Sequence, residues 1–216
     1  MSETFERLPE DKQAKVLDAA FVEFCEKGYE QASTNQIAKE AGIGKGTLFY
    51  YFKSKQTLFH YLVEKAFDIA QEEYLDKINF EETDFFERIK QTTELKWAVY
   101  HIHSHALKFL AYVFMHADET VLSVELNEKR KIAEKKWATV LTYNIDFSKL
   151  REDIPQETSL NFIRWTVEGY RQELEAQMKQ LNFETMNNED MRPYFDEFYG
   201  YLETLKKIYY KKEEEE

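Results

Sequence analysis

Apolar residues recur at three- and four-residue intervals along most of this 216-residue chain, the spacing that lines one face of a helix. In LPEDKQAKVLDAAFVEFCEKGYEQAS, Val16, Leu17, Ala20, Phe21 and Phe24 share such a face. Pro9 occupies a first-turn position, Glu10 and Asp11 lie beside the positive end of the helix dipole, and Gly28 supplies a stop. STNQIAKEAG predicts a second helix, capped by Ser33 or Thr34, with Ile37, Ala38 and Ala41 inward and an end at Gly42. After a turn from Gly42 to Gly44, KGTLFYYF predicts a short helix with Leu48 and Phe52 on its inner face. Ser54 then caps a long amphipathic helix over 55–78, and further helices are expected near 84–100, 103–116, 119–143, 157–182 and 190–211. The main irregular segment is DFSKLREDIPQET, with Pro155 just before a helix start, and KKEEEE reads as a solvated tail. The pattern is that of an all-α protein.

Composition agrees, with only three prolines and six glycines among stretches rich in Glu, Lys, Leu and aromatics. The single cysteine, Cys25, has no internal disulfide partner, and the N-terminus is charged where a secretory signal is apolar. The densest apolar run, ALKFLAYVFMHA, is interrupted by Lys108 and is too short to span a bilayer. These features predict a reduced, cytoplasmic protein with no membrane partner. The formal net charge of -12 is unevenly spread. Residues 1–60 are nearly neutral, and 31–55 hold Lys39, Lys45, Lys53 and Lys55 against Glu40 alone, so a small basic head precedes an acidic body.

EAGIGKGTLFYYFKSK, with Gly42, Gly44 and Gly46 around Lys45, has the look of a nucleotide-phosphate loop. A P-loop needs four residues between its first glycine and a Gly-Lys-Ser/Thr triplet and follows a strand; here Lys45 precedes Gly46 and the upstream segment is a helix. The dinucleotide fingerprint fails as well, because its third glycine position is Thr47. Two short helices joined by a tight glycine turn instead make a helix-turn-helix, whose second helix presents side chains to the DNA major groove. Lys45 and Lys55, each at a helix start, suit backbone phosphates; Gly46 permits close approach. Thr47 offers a hydroxyl and a methyl to base edges, and Tyr50 and Tyr51 offer rings with phenolic donors.

The stretch VLDAAFVEFCEKGYEQASTNQIAKEAGIGKGTLFYYFKSKQTL, Val16 to Leu58, resembles the DNA-binding heads of the TetR-type transcriptional regulators. Gly44 stands where many relatives have Ser, and Phe49, which has no phenolic donor, stands where most have Tyr. The resemblance implies a three-helix helix-turn-helix DNA-binding domain over 1–54 and a larger helical effector-binding and dimerisation domain over 55–216. It also implies a second helix capped by Thr34 against a phosphate, with Ser33, Lys45, Gly46, Thr47, Tyr50, Tyr51 and Lys55 completing the DNA-binding set.

In the body, the helix over 157–182 is apolar on two sides: Leu160, Ile163, Val167, Tyr170, Leu174 and Leu181 on one, Phe162, Trp165, Gly169 and Ala176 on the other. Paired with the last helix across a two-fold axis it predicts a homodimer interface through Phe162, Gly169, Ala176, Phe198, Leu202 and Leu205. Such a dimer would bind a palindromic operator in double-stranded DNA with its two heads. The aromatics Phe67, Trp97, Phe109, Tyr112, Trp137 and Trp165 are candidates for a pocket that holds a small-molecule effector, apolar or amphipathic, or else form ordinary core. In HIHSH only His101 and His105 share a helix face, with no Cys or acidic cluster beside them, so no metal is expected. No nucleophile–base set, paired acid or cofactor motif is present, so neither catalysis nor a cofactor is expected. The expectation is a ligand-responsive repressor; the alternative is a helical interaction module or carrier that has lost specific DNA binding.

Overall fold

The computed structural model describes residues 3–116, 122–178 and 188–212. The helix ends expected at 119–121 and 179–182, Leu181 among them, and the last four glutamates lie outside these residues. The described residues are helical, with no strand and one antiparallel bridge between Leu150 and Tyr210. In chain order the helices are α1 (Glu3–Glu6), α2 (Glu10–Gln31), α3 (Thr34–Glu40), α4 (Lys45–Phe52), α5 (Lys55–Ile69), α6 (Phe85–His116), α7 (Val124–Thr139), α8 (Gln156–Met178) and α9 (Asn188–Tyr209). None of them is long and apolar enough to cross a membrane. They form two compact units, one of Met1–Lys77 with Ala98–Thr139 and one of Ile78–Trp97 with Val140–Glu216.

In the first unit the stripe Val16, Ala20, Phe21 and Phe24 of α2 is buried together with Ile37 of α3, Leu48 and Phe52 of α4, and Leu58, Phe59 and Leu62 of α5. Each of these large side chains contributes about 2 kcal/mol on leaving water. Phe109, Leu110 and Val113 of α6 join the same core, and Phe5 of α1 lies 4.8 Å from the ring of Phe52 and 5.7 Å from that of Tyr61. Pro9 is the residue just before α2, and α2 breaks at Gly28, whose φ of 71° is open to glycine. The long helix expected over 55–78 changes its hydrogen bonding on the way, passing from α5 into a π turn, Ala70–Tyr74, and a 3-10 turn, Leu75–Lys77. The two helices expected at 84–100 and 103–116 are one, α6, with a single non-helical residue at His103 (φ -123°, ψ 35°).

In the second unit Phe85, Phe86 and Ile89 pack with Ile163 of α8 and Phe198, Leu202 and Leu205 of α9. Asp84 caps α6 by accepting N–H bonds from Phe86 (3.0 Å) and Glu87 (3.2 Å). The same carboxylate pairs with Lys149 at 3.1 Å and Lys206 at 3.4 Å and accepts from the Tyr210 hydroxyl at 3.3 Å. Arg88, fully buried, donates to the carbonyls of Val140 (3.0 Å), Phe80 (3.1 Å) and Glu82 and lies against the Phe80 ring.

Candidate nucleic-acid interface

The head is held by local hydrogen bonds that the sequence makes available. Ser33 caps α3: its hydroxyl accepts the Gln36 N–H at 3.3 Å, while its own N–H donates to Glu23 Oε1 at 2.8 Å. Thr34 is therefore the first residue of the helix, and of the two candidate caps Ser33 performs the role. At the far end of α3 the Ile43 N–H bonds the Ala38 carbonyl (2.9 Å) and the Gly42 N–H bonds that of Lys39 (3.1 Å). This is the double bond of a helix stop with a left-handed residue, and Gly42 (φ 67°) supplies it. Ser54 caps α5, accepting from the Thr57 N–H at 3.0 Å. Gly44, the N-cap of α4, has no side chain to offer, so the start of α4 lacks a side-chain cap where α3 and α5 have one.

The amphipathic arrangement of α4 decides what faces outward. Leu48 and Phe52 are buried, which turns Gly46, Thr47 and Tyr50 to the exposed side, with Lys45 exposed at the helix start. Tyr50 is 58% exposed, and the Lys53 ammonium lies 5.2 Å from its ring centre while donating to the Tyr50 carbonyl at 3.0 Å. Lys53 itself has φ 61° in a three-residue turn closed by the Ser54 N–H on the Phe52 carbonyl at 2.6 Å. Tyr51 leans inward, 5.6 Å from the Phe5 ring, and is half-buried. Phe49 is half-buried too; with Thr34, Leu48, Ser54 and Leu58 it lines a shallow dent, and the Lys45 ammonium lies 5.8 Å from its ring centre.

Lys55 behaves differently from Lys45. Its ammonium folds back on the end of α2, donating to the carbonyls of Glu30 (3.0 Å) and Ala32 (3.4 Å) and sitting 4.9 Å from the centre of the Tyr29 ring. Lys53 was legible only as one of the basic residues of the head; its contact with Tyr50 depends on the turn that follows α4. Phe5 carried no periodic signal at all, because α1 has four residues.

The candidate pocket aromatics divide between the units. Phe67, Phe109, Tyr112 and Trp137 belong to the first, where Phe114 joins Phe67 (5.7 Å between ring centres) to Trp137 (4.6 Å) and the buried Trp137 indole nitrogen has no hydrogen-bond partner among the described residues. Trp97 and Trp165 belong to the second: Trp97 lies 6.2 Å from the ring of Phe195, and Trp165 is 58% exposed on α8. Of the candidate dimer residues, Phe162, Gly169 and Ala176 are exposed on α8, whereas Phe198, Leu202 and Leu205 are buried in the core of their own unit. Of the histidines, His105 has its Nδ1 3.5 Å from Asp18 Oδ1, and His103 marks the irregular point of α6.

Residues 16–62 match the model of a family described as bacterial regulatory proteins, tetR family. A stretch of 59 residues, 27% of this chain, is 41% identical to an HTH-type transcriptional regulator of Staphylococcus aureus (strain USA300) and spans 32% of that protein. The match thus covers about a third of the length of such curated relatives. Among solved structures, a TetR family transcriptional regulator from Chloroflexus aurantiacus J-10-FL has a TM-score of 0.62 at 18% identity, over 97% of this chain and 98% of that one. The ketosteroid transcriptional regulator KstR2 of Mycobacterium tuberculosis has a TM-score of 0.58 at 18% identity, over 95% and 98%. At these identities the likeness is one of fold.

Proposed function

From the premise that the head of this chain belongs to the tetR family of bacterial regulatory proteins, we propose that the protein is a ligand-responsive repressor that binds a palindromic operator as a homodimer. The observation that carries the reading is the outward face of α4, where Gly46, Thr47 and Tyr50 are presented by a helix whose Leu48 and Phe52 are locked in the core. A glycine lets the backbone approach DNA, the threonine methyl and hydroxyl suit base edges, and a tyrosine ring suits a thymine methyl or a phosphate. Lys45 at the uncapped start of α4, with Thr34 at the start of α3, supplies the phosphate contacts, and Lys55 holds the corner behind them.

Dimerisation uses the outer face of α8, Phe162 with Trp165 and Gly169, alongside the exposed Tyr201 and Ile208 of α9. For the effector, the cluster of Phe67, Phe114 and Trp137 offers apolar rings around one unpaired indole N–H, which fits a largely apolar molecule with a hydrogen-bond acceptor. Its binding would favour heads wrongly spaced for the operator, and operator DNA must then weaken its binding by the same factor.

The test is selection from a pool of random duplexes at moderate salt. Enrichment of an inverted repeat is the expected result. No enrichment from folded protein, with no effector added or removed that changes this, would favour the interaction module, a reading that Phe49 and the inward-turned Lys55 support.

A further inference from the structure

Tyr112 lies far along the chain from the helix-turn-helix, yet its hydroxyl reaches the corner from which that motif is hung. Because α2 breaks at Gly28, the next amide is free to leave the helical pattern, and the Tyr29 N–H donates to the Tyr112 hydroxyl oxygen at 3.3 Å. A Cβ on Gly28 would stand 3.0 Å from that same oxygen, so the break in α2 and the α6 side chain fit each other closely. The Tyr112 ring stacks on Phe109 at 6.4 Å, and Phe109 meets Phe21 at 5.3 Å and Phe59 at 5.4 Å.

The corner is gripped from the other side by Lys55, whose ammonium takes the Glu30 and Ala32 carbonyls and the face of the Tyr29 ring. Ala32 immediately precedes Ser33, the cap of α3. Residues 28–33 are therefore a joint at which α6, the start of α5 and the start of α3 meet, and α4 is strung between α3 and α5.

We propose that Tyr112 is a positioning residue for DNA reading: its hydroxyl fixes the 28–33 corner, and through it the aim of α4, so that operator affinity depends on how α6 is seated. This rests on the DNA-binding function proposed above. A hydroxyl that merely stabilised the fold would lower the melting temperature and leave the affinity of the folded protein unchanged. One that sets the aim of α4 lowers the affinity of protein that is fully folded, and does so without altering the salt dependence, since Tyr112 touches no phosphate.

Tyr112→Phe separates these, because it keeps the ring and removes the hydroxyl that accepts the Tyr29 N–H. The full-length variant and the wild type are titrated against the selected operator duplex over a salt series, with helicity checked by circular dichroism and exchange of the Tyr29 amide followed by NMR. The expected result is a loss of about 3- to 10-fold in affinity at unchanged salt slope, with faster exchange at Tyr29 and native helicity. Equal affinity of the two folded proteins, or a changed salt slope, overturns the proposal while the DNA-binding reading stands. Failure of the wild type to retain any duplex overturns both.

Discussion

Lys45 and Lys55 are ten positions apart and both open a helix, but their surroundings give them different work. Lys45 is exposed at the start of α4, which has no side-chain cap, so its charge and the positive end of the helix act in the same direction on an approaching phosphate. Lys55 is half-buried, with its ammonium already committed to two carbonyls and a ring. Replacing Lys45 with Ala is expected to weaken operator binding across all sequences and reduce the slope of log affinity against log salt by about one. Replacing Lys55 with Ala should leave the slope alone and cost about 1–2 kcal/mol of stability, from the lost charge-assisted hydrogen bonds and ring contact. Salt-dependent titrations and urea unfolding of the two variants measure both effects, and a slope that falls for Lys55→Ala returns that lysine to the phosphate contacts. Sequence periodicity identified both lysines as helix-start residues and separated Leu48 and Phe52 from Thr47 and Tyr50. It did not give the direction of the Lys55 side chain, because that is set by carbonyls 23 and 25 residues away which become available only where α2 ends.

Among the helices, the start of α6 shows how a few polar groups can fix an element that apolar packing alone leaves free to slide. Asp84 is 93% buried, as its 7% exposure implies, and it ends as a carboxylate held by Lys149, Lys206, Tyr210 and two helix N–H groups. Burial pushes its pKa up, but the Lys149 hydrogen bond, the Glu87 N–H and the charges of Lys206 and Lys149 together outweigh it, leaving the group below the ordinary aspartate range. A depressed folded-state pKa stabilises the fold above the unfolded value, about 3.9, and that contribution disappears as pH falls through the lower folded value. The thermal stability of the wild type should therefore fall in acid below about pH 4, and Asp84→Ala should lose about 2–3 kcal/mol near neutrality while showing a shallower acid dependence. An acid profile that Asp84→Ala leaves unchanged would assign the loss to other carboxylates. This knot was not legible from the chain: its members come from residues 84, 149, 206 and 210, and no local spacing links them. The helices themselves were legible, because 3.6-residue periodicity is local. Their joints were less so, since a single non-helical residue at His103 leaves the hydrogen-bonded run unbroken and the π turn follows α5 without a gap in the chain's helical course.

For the molecule as a whole, an acidic body must be reconciled with a proposed ligand that is itself a polyanion. With a net charge of -12, of which residues 61–216 carry nearly all, a single head would meet DNA against repulsion from its own body. In the proposed dimer two heads would offset this, since the second would bind at an effective concentration set by the first. The surface available for that pairing is specific: Phe162 and Trp165 stand on α8 with ring centres 5.8 Å apart, 46% and 58% exposed, while α8 turns Ile163 into its own core. Gly169 on α8 and Gly200 on α9 have open space where a side chain would be, which lets a partner helix come close. Such rings are more exposed than a monomer's packing requires, and a two-fold axis beside α8 would bury both pairs at once. Trp165→Glu places a charge at the centre of that surface without disturbing the Ile163 side of the helix. It is expected to convert the protein to monomers in sedimentation experiments with helicity retained, and to reduce affinity for an inverted-repeat duplex by at least tenfold while leaving binding to a single half-site within about twofold. Retention of the dimer would move the interface off this face of α8, and a monomer that binds the full repeat as tightly as the wild type would show that the two heads do not act together.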